Sequence, residues 1–198
     1  VNLTVTNVND APTDIVVNGN AATTAVSVNE NAAAGTVVAT LSTVDPDNTT
    51  NGTNDAFNYT LADNFGGAFG IVGNEIRVVN GALLDFENPV HSYVLNVTTN
   101  DGHGGTRSEA VTVNVANVNE SPINVALSNA SFAETAANGF VIGALSGLDP
   151  EGGAVRFSLA NDADGRFKIV FDAATSTYKL AVAENLLTAN PNLKGIFA

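Results

Sequence analysis

Two acidic motifs in this chain each occur twice, and both repeats have the same spacing. Both pairs lie 104 residues apart: Glu30 and Glu134, and Asp45-Pro46-Asp47 and Asp149-Pro150-Glu151. A third motif, residues 7–12, returns at residues 117–122 with an offset of 110 residues, because the loops between motifs differ in length. A shared period of this size indicates two copies of one structural module, and a chain of 198 residues is long enough for two domains.

Short segments in which apolar and polar residues alternate predict that each module is built from β-strands. A period of two places one face of a strand in the core and the other in solvent. Such segments are residues 1–6, 57–61, 93–98, 111–115, 155–159 and 178–182. Turns that contain Gly and Asn separate them, and Gly73-Asn74 predicts a tight hairpin. The expected fold class is all-β, with two antiparallel β-sandwiches in tandem.

The positions of the motifs predict how the chain is divided. Residues 1–12 correspond to the last strand of a preceding repeat and its linker, because residues 1–6 match residues 111–116 in register. The other predicted segments are a complete repeat at residues 13–116, a linker at residues 117–122, and a second repeat at residues 123–198 that lacks its last two strands.

The chain is strongly acidic, and its carboxylates are clustered. There are 20 acidic residues against 7 basic ones, and the net charge of −13 disfavours a nucleic-acid partner. The carboxylates fall in Asx-rich turns between alternating segments, which favours Ca²⁺ held by oxygen ligands over a purely solubilising role. The alternative is that Asp45-Pro46-Asp47 and its copy are only structural turns. The absence of cysteine excludes disulfides and thiolate metal sites.

The sequence predicts neither catalysis nor direct membrane insertion. No run of about 20 apolar residues is present. His91 and His103 stand alone beside turn residues, away from any serine or carboxylate pattern that would activate a nucleophile. Asp85 and Glu87 could suggest the carboxylate pair of a glycosidase. A chain with no Trp and only 3 Tyr has few aromatic residues to form a platform for a sugar.

Four acidic motifs follow one another in a fixed order along the chain. They are the turn at Glu30, Leu84-Asp85-Phe86-Glu87, the linker at residues 117–120, and Asp149-Pro150-Glu151. In this order they resemble the motifs of the cadherin-like repeats found in large bacterial surface proteins and adhesins. The resemblance covers essentially the whole chain. It implies tandem Greek-key sandwiches of the cadherin and immunoglobulin-like type, with Ca²⁺ bound where two repeats meet and the linker residues 117–122 contributing to its site.

The resemblance implies calcium ligands at two places. At the junction between the repeats they are Glu30, Asp85, Glu87, Asn117, the Val118 carbonyl oxygen, Asn119, Glu120, Asp149 and Glu151. At the upstream end, half of a similar site is formed by Asn9, Asp10, Asp45, Asp47 and Asp101. Asn117 stands where the family has an aspartate, which lowers the negative charge of the junction by one. Residues 187–191 lack the acidic pair of residues 84–89, so a junction further downstream is expected to bind calcium poorly.

These features together predict an extracellular module, secreted or at a cell surface, that is not an enzyme. Ca²⁺ would hold stacked sandwiches at a fixed angle, because no single loop supplies the about six to eight oxygen ligands that the ion takes. The expected partners are neighbouring repeats of the same chain and an adhesive ligand, either a second copy or a surface glycan or protein. The alternative is a calcium-dependent carbohydrate-recognition or enzyme-accessory module, whose site would have open coordination and nearby aromatic residues.

Overall fold

The computed structural model describes residues 2–6, 8–47 and 56–184, and its regular structure is almost entirely β. The chain divides into two compact units, Val1–Val118 and Asn119–Ala198. The helical elements among the described residues are two 3₁₀ turns, Phe65–Gly67 and Gly81–Leu83. In the ranges that the structure describes, no helix has the length and apolar character needed to cross a membrane. The all-β fold class predicted from the alternating segments is confirmed.

The described part of the first unit contains eight strands in two sheets. In chain order they are β1 (Asp14–Val17), β2 (Ala25–Asn29), β3 (Val37–Val44), β4 (Asn58–Leu61), β5 (Phe69–Val72), β6 (Glu75–Val78), β7 (Ser92–Asn100) and β8 (Thr106–Ala116). One sheet has the order β1-β3-β6-β5 and the other β2-β8-β7-β4.

Antiparallel pairing dominates both sheets of the first unit, with one exception. Strands β5 and β6 form the hairpin predicted at Gly73-Asn74, with Val72 opposite Glu75. Gly73 has φ of 62°, a left-handed conformation that glycine adopts without a steric cost. The exception is β2, which pairs in parallel with β8 over its whole length. Both strands therefore end at the same pole of the sandwich, where the chain leaves the first unit.

The core of the first unit lies between the two sheets, and alternate residues of each strand fill it. β2 shows the pattern directly, because Val26 and Val28 are buried while Ala25, Ser27 and Asn29 are exposed. Ten Val, Leu and Ile side chains of the strands, each at most 4% exposed, form the centre: Ile15, Val17, Leu41, Ile76, Val78, Leu95, Val97, Val111, Val113 and Val115. Burial of each such side chain stabilises the fold by about 1.5–3 kcal/mol, so packing of the two sheets provides most of the driving force.

The second unit contains one four-stranded sheet in its described part. Its strands are β9 (Ile123–Leu127), β10 (Val141–Leu148), β11 (Phe167–Asp172) and β12 (Thr177–Val182), in the order β11-β12-β10-β9. All pairs are antiparallel. The buried cluster is smaller than that of the first unit and consists of Ala136, Ile142 and Val182, with Phe132, Phe167 and Leu180 packed around it.

Two predicted strands are absent from the structure. Residues 155–159 and residues 2–6 have no strand conformation. In the first unit the equivalent of residues 155–159 is β4, whose only strand partner is β7. The described part of the second unit has no strand equivalent to β7 or β8, so residues 155–159 find no ladder of hydrogen bonds to join. Residues 187–191, which lack the acidic pair, lie outside the described residues.

Candidate metal centre

Three buried carboxylates follow shortly after strands at the upstream end of the first unit. Asp45 and Asp47 follow the end of β3 and are 5% and 4% exposed, and Asp101 follows β7 and is fully buried. Because side chains two residues apart share a face of a strand, Asp45 and Asp101 continue the inward-facing rows of β3 and β7. The core thus changes from aliphatic to carboxylate at this pole.

Hydrogen bonds connect these carboxylates to the segment that precedes β1. The Asp10 N–H donates to Asp47 Oδ2 at 2.5 Å, and the Asn9 side-chain amide donates to Asp101 Oδ2 at 3.0 Å. The Asp47 N–H in turn donates to Asp45 Oδ1 at 2.9 Å. All five residues predicted for the upstream half-site therefore take part in hydrogen bonds with one another. The Asp10 carboxylate itself is on an exposed residue.

Asp101 is held in place by the loop that follows it. Its Oδ1 accepts hydrogen bonds from the N–H groups of His103 at 2.7 Å and Gly105 at 3.0 Å. Gly105 permits this close approach, because a Cβ atom there would lie 2.2 Å from Asp101 Oδ2 and 2.8 Å from the Ala11 Cα. The amide of Asn9 lowers the pKa of Asp101 below its ordinary value, burial opposes this, and the loop N–H groups lower it further. Asp101 is therefore a carboxylate at neutral pH.

The donor set at this end fits a hard cation. Asp45 Oδ2 is buried and has no hydrogen-bond partner. No Lys or Arg among the described residues forms an ion pair with Asp45 or Asp101. A buried carboxylate oxygen without a partner is costly, and the cost disappears when a cation is coordinated. The five predicted ligands of this end offer carboxylate and amide oxygen atoms, and Ca²⁺ prefers such a set.

A second group of predicted ligands meets at the opposite pole of the first unit. Glu30, 3% exposed, accepts a hydrogen bond from the Val118 N–H at 2.7 Å on one oxygen and from the Phe86 N–H at 2.8 Å on the other. A carboxylate oxygen of Glu87 lies within 4.8 Å of one of Glu30. Asp85 Oδ1 accepts from the Glu87 N–H at 3.0 Å. Glu30 thus links the end of the first unit to the loop that contains Asp85 and Glu87.

The remaining predicted ligands lie at the start of the second unit or just before it. Glu151 Oε1 accepts a hydrogen bond from the Glu120 N–H at 2.8 Å, whereas Glu151 Oε2 is buried without a partner. Asp149 Oδ1 accepts from the Gly153 N–H at 2.9 Å. The amide of Asn119 donates to the Glu120 carbonyl oxygen at 3.1 Å. Asn117, in the first unit, is exposed.

The two units use the same contact at their upstream ends. Asp10 donates to the second acid of Asp45-Pro46-Asp47, and Glu120 donates to the second acid of Asp149-Pro150-Glu151. The repeat found in the sequence is therefore a repeat of geometry, in which the linker backbone is anchored on an acidic turn. Glu30 and its copy Glu134 differ, because Glu134 is exposed.

Three hydroxyl side chains next to the upstream site were not identified from the sequence. Thr43 Oγ1 lies 2.9 Å from the Tyr59 hydroxyl and 2.9 Å from Thr99 Oγ1. Thr43 and Thr99 stand two residues before Asp45 and Asp101, so period-two alternation could have placed them on the same inward rows. What the sequence does not contain is that β3 and β7 face each other across the sandwich.

A sequence model of the cadherin domain family matches residues 24–118. Residues 24–118 form a cadherin domain. The family consists of extracellular modules of the adhesion type that bind Ca²⁺ and are generally without enzymatic activity. The resemblance to cadherin repeats that the acidic motifs indicate is thereby confirmed. No curated protein matches the chain in sequence.

Solved cadherin structures share the fold of the chain at low sequence identity. Human Protocadherin-24 EC1-2 matches with a TM-score of 0.56 and 19% identity, over 92% of this chain and 81% of that one. Drosophila N-cadherin EC1-4 gives 0.54 and 18%, over 93% and 43%. Protocadherin Gamma B7 extracellular cadherin domains 1-4 gives 0.51 and 22%, over 89% and 43%. The chain spans less than half of the last two structures. Because the sequence identities are low, these likenesses concern the cadherin fold alone.

Proposed function

We propose that Ca²⁺ binds at both ends of the cadherin domain and fixes it relative to its neighbouring repeats. The chain would then be a stiffened segment of an extracellular adhesive protein. The observation that supports this most directly is Asp45, whose Oδ2 is buried without a hydrogen-bond partner beside the buried Asp47 and Asp101. A fold has little reason to bury three acids in adjoining turns unless a positive charge accompanies them.

The linker contacts indicate how bound calcium would act on flexibility. Asn9 and Asp10 are hydrogen-bonded to Asp101 and Asp47 at one pole. Val118 is hydrogen-bonded to Glu30 at the other. When calcium is bound, it neutralises the charge of these carboxylates and adds coordinate bonds to them. Residues that are tied to the same carboxylates would lose freedom, and the linkers on both sides would become stiffer.

The other proposed ligands stand on both sides of the peptide bond between Val118 and Asn119 in the sequence, one group in each unit. The first side contributes Glu30, Asp85, Glu87, Asn117 and the Val118 carbonyl, and the second contributes Asn119, Glu120, Asp149 and Glu151. The unpaired Glu151 Oε2 supports a cation here by the same reasoning as Asp45 Oδ2. Without an ion, charges such as Glu30 and Glu87, within 4.8 Å, would repel each other. Because Glu87 is exposed, solvent screens this repulsion, which is then on the order of 1 kcal/mol or less.

The experiment that tests the proposal is a calcium titration of chelated protein by calorimetry, with thermal melting and small-angle X-ray scattering at each end point. We expect saturable binding with Kd of about 0.1–1 mM, as for other extracellular modules. At a hundredfold excess over Kd the ion should stabilise the fold by about 2.7 kcal/mol. The scattering should show a longer and stiffer particle with calcium. Absence of binding at several millimolar calcium would reduce the acidic turns to structural residues.

The Asp45→Asn variant distinguishes the destabilising effect of a buried charge from the stabilising effect of a calcium ligand. In chelator it should be at least as stable as the parent protein, because it removes a buried charge that no Lys or Arg among the described residues neutralises. In calcium it should be less stable than the parent, because a ligand is lost. Asp164→Asn is the matched control, since it makes the same charge change at an exposed loop residue with φ of 60°, which asparagine tolerates. A lower melting temperature of Asp45→Asn in chelator would contradict the cation-site reasoning.

A further inference from the structure

A chain of buried and half-buried hydroxyl groups joins the two sheets of the first unit just below the upstream carboxylates. Thr43 on β3 contacts Tyr59 on β4 and Thr99 on β7, each at 2.9 Å between oxygens. Strand β3 belongs to one sheet, whereas β4 and β7 belong to the other. Thr99 is fully buried and Thr43 partly so. We call these three side chains the hydroxyl bridge. It is a polar link between sheets whose core cluster consists of aliphatic and aromatic side chains.

The hydroxyl bridge lies on the strands that present the acids. Thr43 precedes Asp45 by two residues, and Thr99 precedes Asp101 by two. Two residues of strand span about 6.6 Å, and side chains at this spacing share one face. A link of fixed length between Thr43 and Thr99 therefore sets the separation of the two strands one step before each acid. The separation of Asp45 and Asp101 depends on it.

The second unit has no hydroxyl group at two of the three positions of the hydroxyl bridge. Gly147 occupies the place of Thr43, with the same offset of 104 residues that relates Asp45 to Asp149. Phe157 occupies the place of Tyr59, since Phe157-Ser158-Leu159-Ala160 follows the pattern of Tyr59-Thr60-Leu61-Ala62. A Cβ atom on Gly147 would lie 3.2 Å from Val155 Cγ1 and 3.5 Å from the Phe157 ring. Apolar side chains thus fill the space that the threonine side chain would need.

The acid that follows this position is also more buried in the first unit than in the second. Asp45, next to the hydroxyl bridge, is 5% exposed and has an unpaired oxygen. Asp149, next to Gly147, is partly exposed, in a unit whose described part has neither a strand equivalent to β7 nor hydroxyl groups at the places of Thr43 and Tyr59. We propose that Thr43, Tyr59 and Thr99 are positioning residues, which set the separation of Asp45 and Asp101 and thereby the affinity of this acidic end for a hard divalent cation. This inference rests on the proposed calcium site and adds to it a determinant of affinity that is present at only one of the two acidic turns.

The hydroxyl chemistry explains why aliphatic side chains would not suffice. Each hydroxyl has one donor and two acceptor positions, so Thr43 can contact both partners at once. Loss of one hydroxyl leaves a buried polar partner unpaired, which disfavours the close approach of the strands. The acids would then be free to separate under their mutual repulsion. Groups that orient metal ligands in this way typically change metal affinity by about 10–100-fold when they are removed.

The test is a calcium titration of the whole chain, with calcium chloride as the probe, followed by NMR at amides that report each end separately. The Asp47 and Gly105 N–H groups donate to Asp45 and Asp101 at the upstream end. The Phe86 N–H donates to Glu30 at the other end. Thr43→Val removes the hydroxyl and keeps the branched shape. We expect the Kd read at Asp47 and Gly105 to rise at least about tenfold. The Kd read at Phe86 should stay within about twofold, as for independent sites.

Two further variants distinguish positioning from a general loss of structure. Thr43→Ser restores a hydroxyl and should recover most of the affinity. Thr98→Val makes the same chemical change on the same strand as Thr99, at a hydroxyl that bonds Ser108 on the outer face, and should leave the upstream Kd unchanged. An unchanged Kd in Thr43→Val, or equal weakening at both ends, would overturn the inference while leaving the calcium site intact. If the parent protein shows no calcium-dependent shifts, both the proposed function and the inference fall.

Discussion

Replacing Gly81 by alanine should both destabilise the first unit and distort the acidic loop beside it. A Cβ atom at Gly81 would lie 1.9 Å from the Ala32 carbonyl oxygen, 2.9 Å from its carbonyl carbon and 3.2 Å from its nitrogen. All three are backbone atoms, so no side-chain rotation relieves the clash. Gly81 is buried and does not have a left-handed φ, so alanine is excluded by contact alone.

The magnitude follows from how far the two segments must separate. The Cβ and the oxygen need well over one ångström of extra distance to reach an ordinary contact, and such overpacking costs about 1–3 kcal/mol or more. The backbone bond from the Asn31 N–H to the Leu84 carbonyl, 2.9 Å, would be strained by the same movement. For a unit of this size we expect the melting temperature to fall by roughly 5–10 °C.

Scanning calorimetry in chelator and in calcium would measure the effect. Glu30 and the Asp85 loop stand directly beside the displaced segments, so the calcium-induced rise in melting temperature should also shrink. Gly70→Ala is the matched control, because its Cβ would meet only the Val79 side chain, at 2.9 Å. Val79 is 54% exposed and can rotate away. If Gly81→Ala had the same melting temperature as Gly70→Ala, the packing argument would be refuted.

Two further predictions concern the core of the first unit and the pH response of the second. Leu95→Ala removes a fully buried side chain and should cost about 2–5 kcal/mol, measured by urea unfolding; a change below about 1 kcal/mol would contradict its place in the core. Hydrogen bonds from the Lys179 ammonium, which contributes most, and from the Thr175 side chain and the Ala174 N–H lower the pKa of Asp172 from 3.8 to about 2. A depressed carboxylate pKa stabilises the fold above the unfolded value, and this stabilisation is lost as the pH falls from about 4 to about 2. Lys179→Met should therefore make the stability of the second unit less dependent on pH in this window, and an unaltered pH profile would contradict the assignment.

Local patterns were sufficient for the elements whose partners come next in the chain. The hairpin at Gly73-Asn74 follows from its turn residues, and the inward rows of β7 and β8 follow from alternation. The hydrogen bonds of the acidic turns to nearby backbone, such as Glu87 to Asp85, also follow from residue type.

Contacts between distant parts of the chain could not be predicted in the same way. Alternation marked residues 155–159 as a strand, but a strand forms only beside a partner, and the pattern within one segment does not contain that information. The hydroxyl bridge likewise depends on Thr43 and Thr99 meeting across 56 residues of sequence. Glu30 was identified as acidic and well placed, whereas its bond to the Val118 N–H, 88 residues away, required the fold. The domain bounds and the calcium ligands themselves stay predictions.

The parallel pairing of β2 with β8 has a mechanical consequence. The chain enters the first unit near Asp47 and Asp101 and leaves it at Val118, at the opposite pole. Tension along the chain would therefore pull on β8 along its own axis, away from the pole where it began. Hydrogen bonds between strands run across the strands, so this load would shear the bonds of β8 with β2 and β7 together instead of peeling them one by one. An eleven-residue strand bonded on both sides would slide only when many bonds fail at once, which makes the last strand of the module the one best suited to bear force.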